Sequence, residues 1–243
     1  MFQFFVEPWA IGTITGTITG SDVNHIKNVL RMKKGEQVRI SDNQGQDYLG
    51  EICEIEEEQV IVTLLDHCAN TELPVKVTLF QGLPKNDKME LIIQKAVELG
   101  VYQIIPVAMK NCVVKLDEKK AKNKITRWQT ISESAAKQSK RSIIPKIGEI
   151  MTFPQATAYA ASLDVSLIPY ENQRGMVNTR QVMSSIVKGS SVGILIGPEG
   201  GFSKNEIASV QENSQLISLG NRILRTETAG MAAMSMLIFA LEE

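Results

Sequence analysis

Histidine and cysteine are scarce in this chain. Its 243 residues hold two of the former, His25 and His67, and three of the latter, Cys53, Cys68 and Cys112. Two histidines leave too little material for a Ser-His-Asp hydrolase or a histidine-built metal centre, and no metal is expected. Three cysteines without C-x-x-C spacing argue against a disulfide framework or a zinc site and fit a reducing, cytoplasmic setting. Long apolar runs are also missing. The longest, Met231–Leu241, falls well short of the ~20 residues that cross a bilayer. The opening Met-Phe-Gln-Phe-Phe-Val-Glu-Pro has no basic segment and carries Glu7 and Pro8, so it reads as a first strand and not as a signal peptide. No P-loop and no metal-binding carboxylate cluster is visible, which counts against a nucleotide phosphatase. There is no internal repeat and no low-complexity run.

What is present is an ordinary globular composition, 43% hydrophobic and 22% charged, enough for one large domain or two smaller ones. Net charge is −1, but the charge is segregated. Residues 1–70 hold 5 Lys/Arg against 11 Asp/Glu, residues 76–150 hold 15 against 7, and residues 151–243 hold 6 against 8. A basic middle region points to a polyanionic partner. The Lys119, Lys120, Lys122 and Lys124 run reads as a solvated helical face.

Residues 1–70 read as β-rich. Thr13–Thr19 alternates with period two, and Val38–Ile40, Tyr48–Ile55 and Val60–Leu65 are further short strands, with Asp42-Asn-Gln-Gly45 as a turn. One helix interrupts, from Ser21 to Met32, its apolar series being Val23, Ile26, Val29 and Leu30. Short strands with one helix suggest a small barrel, and the basic end of the helix is a candidate phosphate contact; exposed His25 reads as solvated. A polar segment, 67–74, reads as a linker. Strands then alternate with helices: Val75–Gln81, a helix opened at Asn86 or Asp87 and stopped by Gly100, Gln103–Ala108, a long basic helix Lys119–Lys140, Val165–Ile168, a helix Thr179–Val187, and Val192–Ile196. That alternation implies a parallel, covered sheet.

Two turns stand out near the end of the chain. Leu195-Ile-Gly-Pro-Glu-Gly-Gly-Phe-Ser203 leaves a short apolar strand and runs into a capping box, Ser203 with Glu206. Ser218-Leu-Gly-Asn-Arg-Ile-Leu-Arg-Thr-Glu-Thr-Ala229 leaves a strand at Leu216–Leu219 and enters a helix that Thr226 is expected to cap. Two arginines, a glutamate and two threonines so close to a strand end are hard to explain by packing alone. Strand ends that open into Gly-rich turns are where open α/β sheets place ligands, so the two turns suggest one shared pocket.

In these segments the chain resembles the RsmE-type 16S ribosomal RNA uridine-N3 methyltransferases of the SPOUT, or trefoil-knot, superfamily. The residues that carry the resemblance are His25–Gly35, Pro84–Glu90 with Gln94–Gly100, Arg127-Trp128 with Glu133–Arg141, Ile196–Ser203 and Leu219–Ala229. The resemblance implies an α/β protein: a PUA-like RNA-binding barrel over 1–70 and a SPOUT domain over 75–243 with a deep trefoil knot. It implies a homodimer, and S-adenosylmethionine held bent by three loops: Ile168-Pro169-Tyr170; Ile196, Gly197, Glu199 and Gly200; Leu219, Gly220, Ile223 and Leu224. Glu199 would lie near the sulfonium or amino group, or brace its loop. Arg225 would stabilise negative charge on the uracil oxygens, with Glu227 orienting it or accepting the proton. Lys27, Arg31 and Lys33 would contact RNA, Lys85, Lys88 and Lys95 would contact RNA phosphates or stay solvated, and Arg222 would pair with an RNA phosphate or a carboxylate. Gln138 and Arg141 would hold the flipped base or adjacent phosphates, or else make helix-end hydrogen bonds. The partner would be 16S ribosomal RNA in the assembled small subunit. Alternatives are another SPOUT transferase acting on tRNA or a ribose hydroxyl, and a non-catalytic RNA-binding protein.

Overall fold

The computed structural model describes residues 1–210 and 212–242. Gln211 and Glu243, the last residue of the expected second domain, lie outside the described residues. Contacts divide the chain into two compact units. One is Met1–Glu72 with Ala136–Ile144; the other is Leu73–Ala135 with the chain from Pro145 onward.

The first unit is a curled half-barrel of β1 (Phe2–Phe5), β2 (Thr15–Thr19), β3 (Gln37–Ser41), β4 (Asp47–Ile55) and β5 (Gln59–His67), in the order β1-β3-β4-β5-β2. Only β1 and β3 run parallel; the other three pairs are antiparallel. Two register irregularities in β4, at Leu49/Gly50 and Ile52/Glu54, bend the sheet around its core. That core is apolar: Phe4, Ile18, Val38, Ile40, Ile52, Val60 and Val62, plugged by Val23 and Ile26. The expected helix over 21–32 starts as α1 (Ser21–Asn24) and continues as a π turn, His25–Leu30, stopped by Arg31 at φ 52°. The wider turn rotates each residue less than an α-helix does, so the apolar series leaves its face. Val29, expected inside, is 61% exposed.

Segment 136–144 joins this unit through polar contacts. Arg141 is 2% exposed. Its guanidinium closes on Glu72, with Nε to Oε1 at 2.8 Å, and Glu72 Oε1 also accepts from the Ser142 amide at 2.8 Å. Ser41 Oγ donates to the Ser142 carbonyl at 2.9 Å, Gln3 donates to the Arg141 carbonyl at 2.6 Å, and Lys137 pairs with Asp22 at 3.0 Å. Asp47 pairs with Arg39 and accepts from Ser142.

The second unit is a parallel sheet of β6 (Lys76–Gly82), β7 (Gln103–Ala108), β8 (Lys146–Ile147), β9 (Met151–Thr152), β10 (Val165–Pro169), β11 (Ser191–Ile196) and β12 (Gln215–Ile217). Its order is β12-β10-β11-β6-β7-β8, with β9 also on β7. The helices are α2 (Lys88–Glu98), α3 (Glu118–Ser139, its last turn grouped with the first unit), α4 (Phe153–Ala161), α5 (Val177–Ser185), α6 (Lys204–Val210) and α7 (Thr226–Leu241). Strands β6 and β11 are buried almost throughout, as parallel strands covered on both faces must be. The chain passes from β10 to its neighbour β11, then crosses back to place β12 on the far side of β10. That reversal opens a crevice at the carboxyl ends of β12, β10 and β11.

Candidate cofactor site and basic residues

A cleft of about 380 Å³ occupies that crevice. The three strand ends supply its rim. From β10 come Pro169 and Tyr170, from β11 Ile196, Gly197, Pro198 and Glu199, and from the β12–α7 connection Leu219, Gly220, Ile223 and Leu224. The two Gly-rich turns therefore line one cavity. Gly220 has φ 104°, a conformation a side chain would strain. Ile223 is 79% exposed at the mouth, an apolar wall without a covering partner.

The first turn enters α6 through the expected capping box: the Ser203 amide donates to Glu206 at 2.7 Å and the Glu206 amide donates to Ser203 Oγ at 3.3 Å. The second turn departs from expectation at two points. β12 ends at Ile217, because Thr179 Oγ1 takes over both backbone groups of Ser218, at 2.9 and 3.0 Å. Arg225, not Thr226, is the N-cap of α7, and no side chain caps that end. The Thr226 hydroxyl instead donates to the Gly197 carbonyl at 2.7 Å and accepts from Gln81 Nε2 at 2.9 Å.

Glu199 braces the turn. It accepts from the Lys85 amide at 3.0 Å and pairs with Lys88 at 3.2 Å; Lys88 reaches Glu227 at the same distance. Burial pushes the Glu199 carboxyl up, but the Lys85 amide and the Lys88 ammonium outweigh it and hold it below its ordinary 4.5. Lys88 is held above its ordinary 10.5 by its bonds to Glu199 and Glu227. Among the described residues no ion pair joins Arg225 or Arg222 to a carboxylate, and both line the cleft.

Three expected cofactor and catalytic residues sit differently. Ile168 is fully buried in the core, because its side chain and that of Pro169 alternate across the strand. Gly200 faces Asn111, whose amide donates to its carbonyl at 3.0 Å, and Gly201 takes its place in the lining. Glu227 lies outside the lining, engaged by Lys88 and not by Arg225. Lining residues that the sequence did not single out as site residues include Arg174, Phe202, Ser218 and Thr226, and nothing local marks Arg174; Lys88, expected either at a phosphate or solvated, lines the cleft as well.

Of the residues expected to meet RNA, Arg31 and Lys33 are exposed in the first unit. Lys27 spends its ammonium on the Glu56 carbonyl at 3.0 Å. Gln138 and Lys85 are both exposed. Arg141 is not presented to a ligand: buried against Glu72, it makes the helix-end contact that was the other reading of it.

Comparison with known proteins gives this architecture its class. The RNA methyltransferase domain family matches residues 71–238, and the RNA methyltransferase PUA domain matches residues 18–65. The two units together thus define an RNA methyltransferase. Over 233 residues the chain is 39% identical to ribosomal RNA small subunit methyltransferase E of Bacillus subtilis, covering 94% of this chain and 91% of that one. It is 33% identical to the protein of the same name from Mesomycoplasma hyopneumoniae over 95% and 96% of the two chains. The crystal structure of ribosomal RNA small subunit methyltransferase E from Neisseria gonorrhoeae bound to S-adenosyl methionine matches with a TM-score of 0.84 at 29% identity, covering 98% and 97%. The chain belongs to the ribosomal RNA small subunit methyltransferase E family.

Proposed function

We propose that this chain transfers a methyl group from S-adenosylmethionine to N3 of a uridine in 16S ribosomal RNA of the assembled small subunit, in the cytoplasm and as a homodimer. The observation that carries the reading is the convergence of both Gly-rich turns on one cleft at the sheet's switch point. The cleft fits the donor: about 380 Å³ is within the size of small-ligand sites, with apolar walls at Ile196, Phe202, Leu219 and Ile223 and charged groups at its mouth. Bound there, S-adenosylmethionine supplies a methyl group activated by a sulfonium.

Leu219, Gly220, Ile223 and Leu224 would take the adenine; Ile196, Gly197 and Glu199 would take the methionyl part beside Pro169 and Tyr170. The chemistry left to the protein is orientation and charge. The N3 lone pair forms the new N–C bond, the S–C bond breaks, and the N3 proton must leave. The Arg225 guanidinium, without a carboxylate partner among the described residues, would stabilise charge on the uracil oxygens. Glu227, two residues on and held by Lys88, would accept the proton. Arg222, Lys85, Arg31, Lys33, Lys27 and Gln138 would meet phosphates or bases. The proposed knot is supported by the path of the chain, which leaves the sheet edge at β12 and returns as α7 against α2 and β11. The homodimer is supported by α7, which is apolar on nearly all sides and leaves Phe239 89% exposed.

Small subunits from cells lacking the activity, incubated with the protein and tritiated S-adenosylmethionine, should incorporate label into 16S RNA alone, and nuclease digestion should release N3-methyluridine. Label on tRNA or on a ribose hydroxyl would point to a different transferase, and absence of label to an RNA-binding protein.

A further inference from the structure

We infer that Gln81 is a positioning residue for the cofactor cleft, acting through the Thr226 hydroxyl on the Gly197 carbonyl. Gln81 is the penultimate residue of β6, and its side chain is fully buried. A buried carboxamide is costly unless its bonds are made. Its Nε2 donates to the Gly82 carbonyl at 3.0 Å and to Thr226 Oγ1 at 2.9 Å, while its Oε1 has no partner among the described residues. A methionine would fill the same slot without that orphaned oxygen. The amide therefore serves its two donors.

The chain of bonds has one direction. Thr226 has one O–H, and it donates to the Gly197 carbonyl at 2.7 Å, so in its 2.9 Å contact with Gln81 the hydroxyl oxygen accepts and the Gln81 amide donates. Such serial bonds polarise one another. Gly197 and Thr226 both line the cleft, one from each Gly-rich turn. Gln81 thereby ties the two turns from beneath and fixes the Gly197–Pro198 peptide plane. The next residue, Gly82, makes room for this contact: a Cβ there would lie 2.7 Å from Pro198 N.

The inference rests on the proposed reading of the cleft as the S-adenosylmethionine site. Calorimetry with S-adenosylmethionine on the full-length protein tests it. Thr226→Val keeps the side-chain shape and deletes the donor; the Kd should rise about tenfold, with Gln81→Met raising it in the same sense and Thr226→Ser staying within about threefold of the parent. The double variant Gln81→Met/Thr226→Val should be no weaker than Thr226→Val alone, since both cut one chain. In turnover the loss should appear in KM for S-adenosylmethionine, with kcat and KM for RNA nearly unmoved. A Kd for Thr226→Val equal to the parent's, a Thr226→Ser as weak as Thr226→Val, or additive single effects overturns the inference. Should Thr226→Val not fold, Gln81→Met decides on the same terms. Failure of the parent protein to bind S-adenosylmethionine removes the reading of the cleft and this inference together; variants that match a binding parent remove only the inference.

Discussion

Arg225 stands at the cleft with no ion pair to a carboxylate among the described residues, and that freedom is what its proposed role requires. A guanidinium already neutralised by Glu227 would have less field to offer a developing anion; the structure gives Glu227 to Lys88 instead. Arg225→Ala should lower methylation by about 100-fold or more while S-adenosylmethionine binding changes only a few-fold, measured by label transfer beside calorimetry. Arg141 is the opposite case. It carries the same charge, but it is 2% exposed and closed on Glu72. Arg141→Ala leaves a carboxylate without its partner and should cost about 3–5 kcal/mol in urea unfolding, far more than it costs in RNA affinity. Sequence alone left Arg141 between these two roles, because a basic residue at a helix end reads the same whether it faces solvent or a buried acid.

At the scale of elements, the β6–α2 connection holds both turns of the cleft. Gly82 packs on Pro198, Glu199 accepts from the Lys85 amide, and Lys88 spans Glu199 and Glu227. Gly82→Ala forces a methyl group against the Gly197–Pro198 backbone, so the first turn must move; S-adenosylmethionine affinity should drop about tenfold or more, read by calorimetry. Local signals found these elements well where one period dominated. Gln103–Ala108 is a strand over the expected span, and Gly100 stops α2 at φ 87°. Local signals failed where a tertiary partner replaced them. β12 stops two residues early because Thr179 satisfies Ser218, and the π turn at His25–Leu30 turns Val29 outward. Helix α4, absent from the sequence reading, starts at a capping box of Thr152 and Gln155 that could have been found.

Across the whole molecule, charge sets the pH range in which the cleft keeps its clasp. Glu199 is held below its ordinary 4.5, so its contribution is present above that value and is lost as pH falls through the lower folded one. Lys88 is held above 10.5, so its contribution is present below that value and fades as pH rises through the higher folded one. S-adenosylmethionine affinity should therefore stay level between those limits and weaken on the acid side, and in a calorimetric pH series Lys88→Met should move the onset of that weakening to higher pH, because the Lys85 amide is then left to hold Glu199 against its burial. Assembly belongs to this scale too. Phe239→Asp places a charge on the exposed apolar side of α7 and should convert the proposed dimer to monomer in sedimentation equilibrium.

The amino-acid sequence by itself determined the alternation of strands and helices, the two Gly-rich turns and the charge asymmetry, because periodicity, turn residues and caps act over a few neighbours. The sequence suggested that the turns share one pocket; tertiary structure decided that Lys88 and Thr226 belong to it, and that Ile168, Gly200 and Arg141 do not. Those outcomes depend on contacts between residues 29 to 145 positions apart, such as Thr226 with Gly197 and with Gln81, and no local pattern encodes which buried donor finds which distant acceptor.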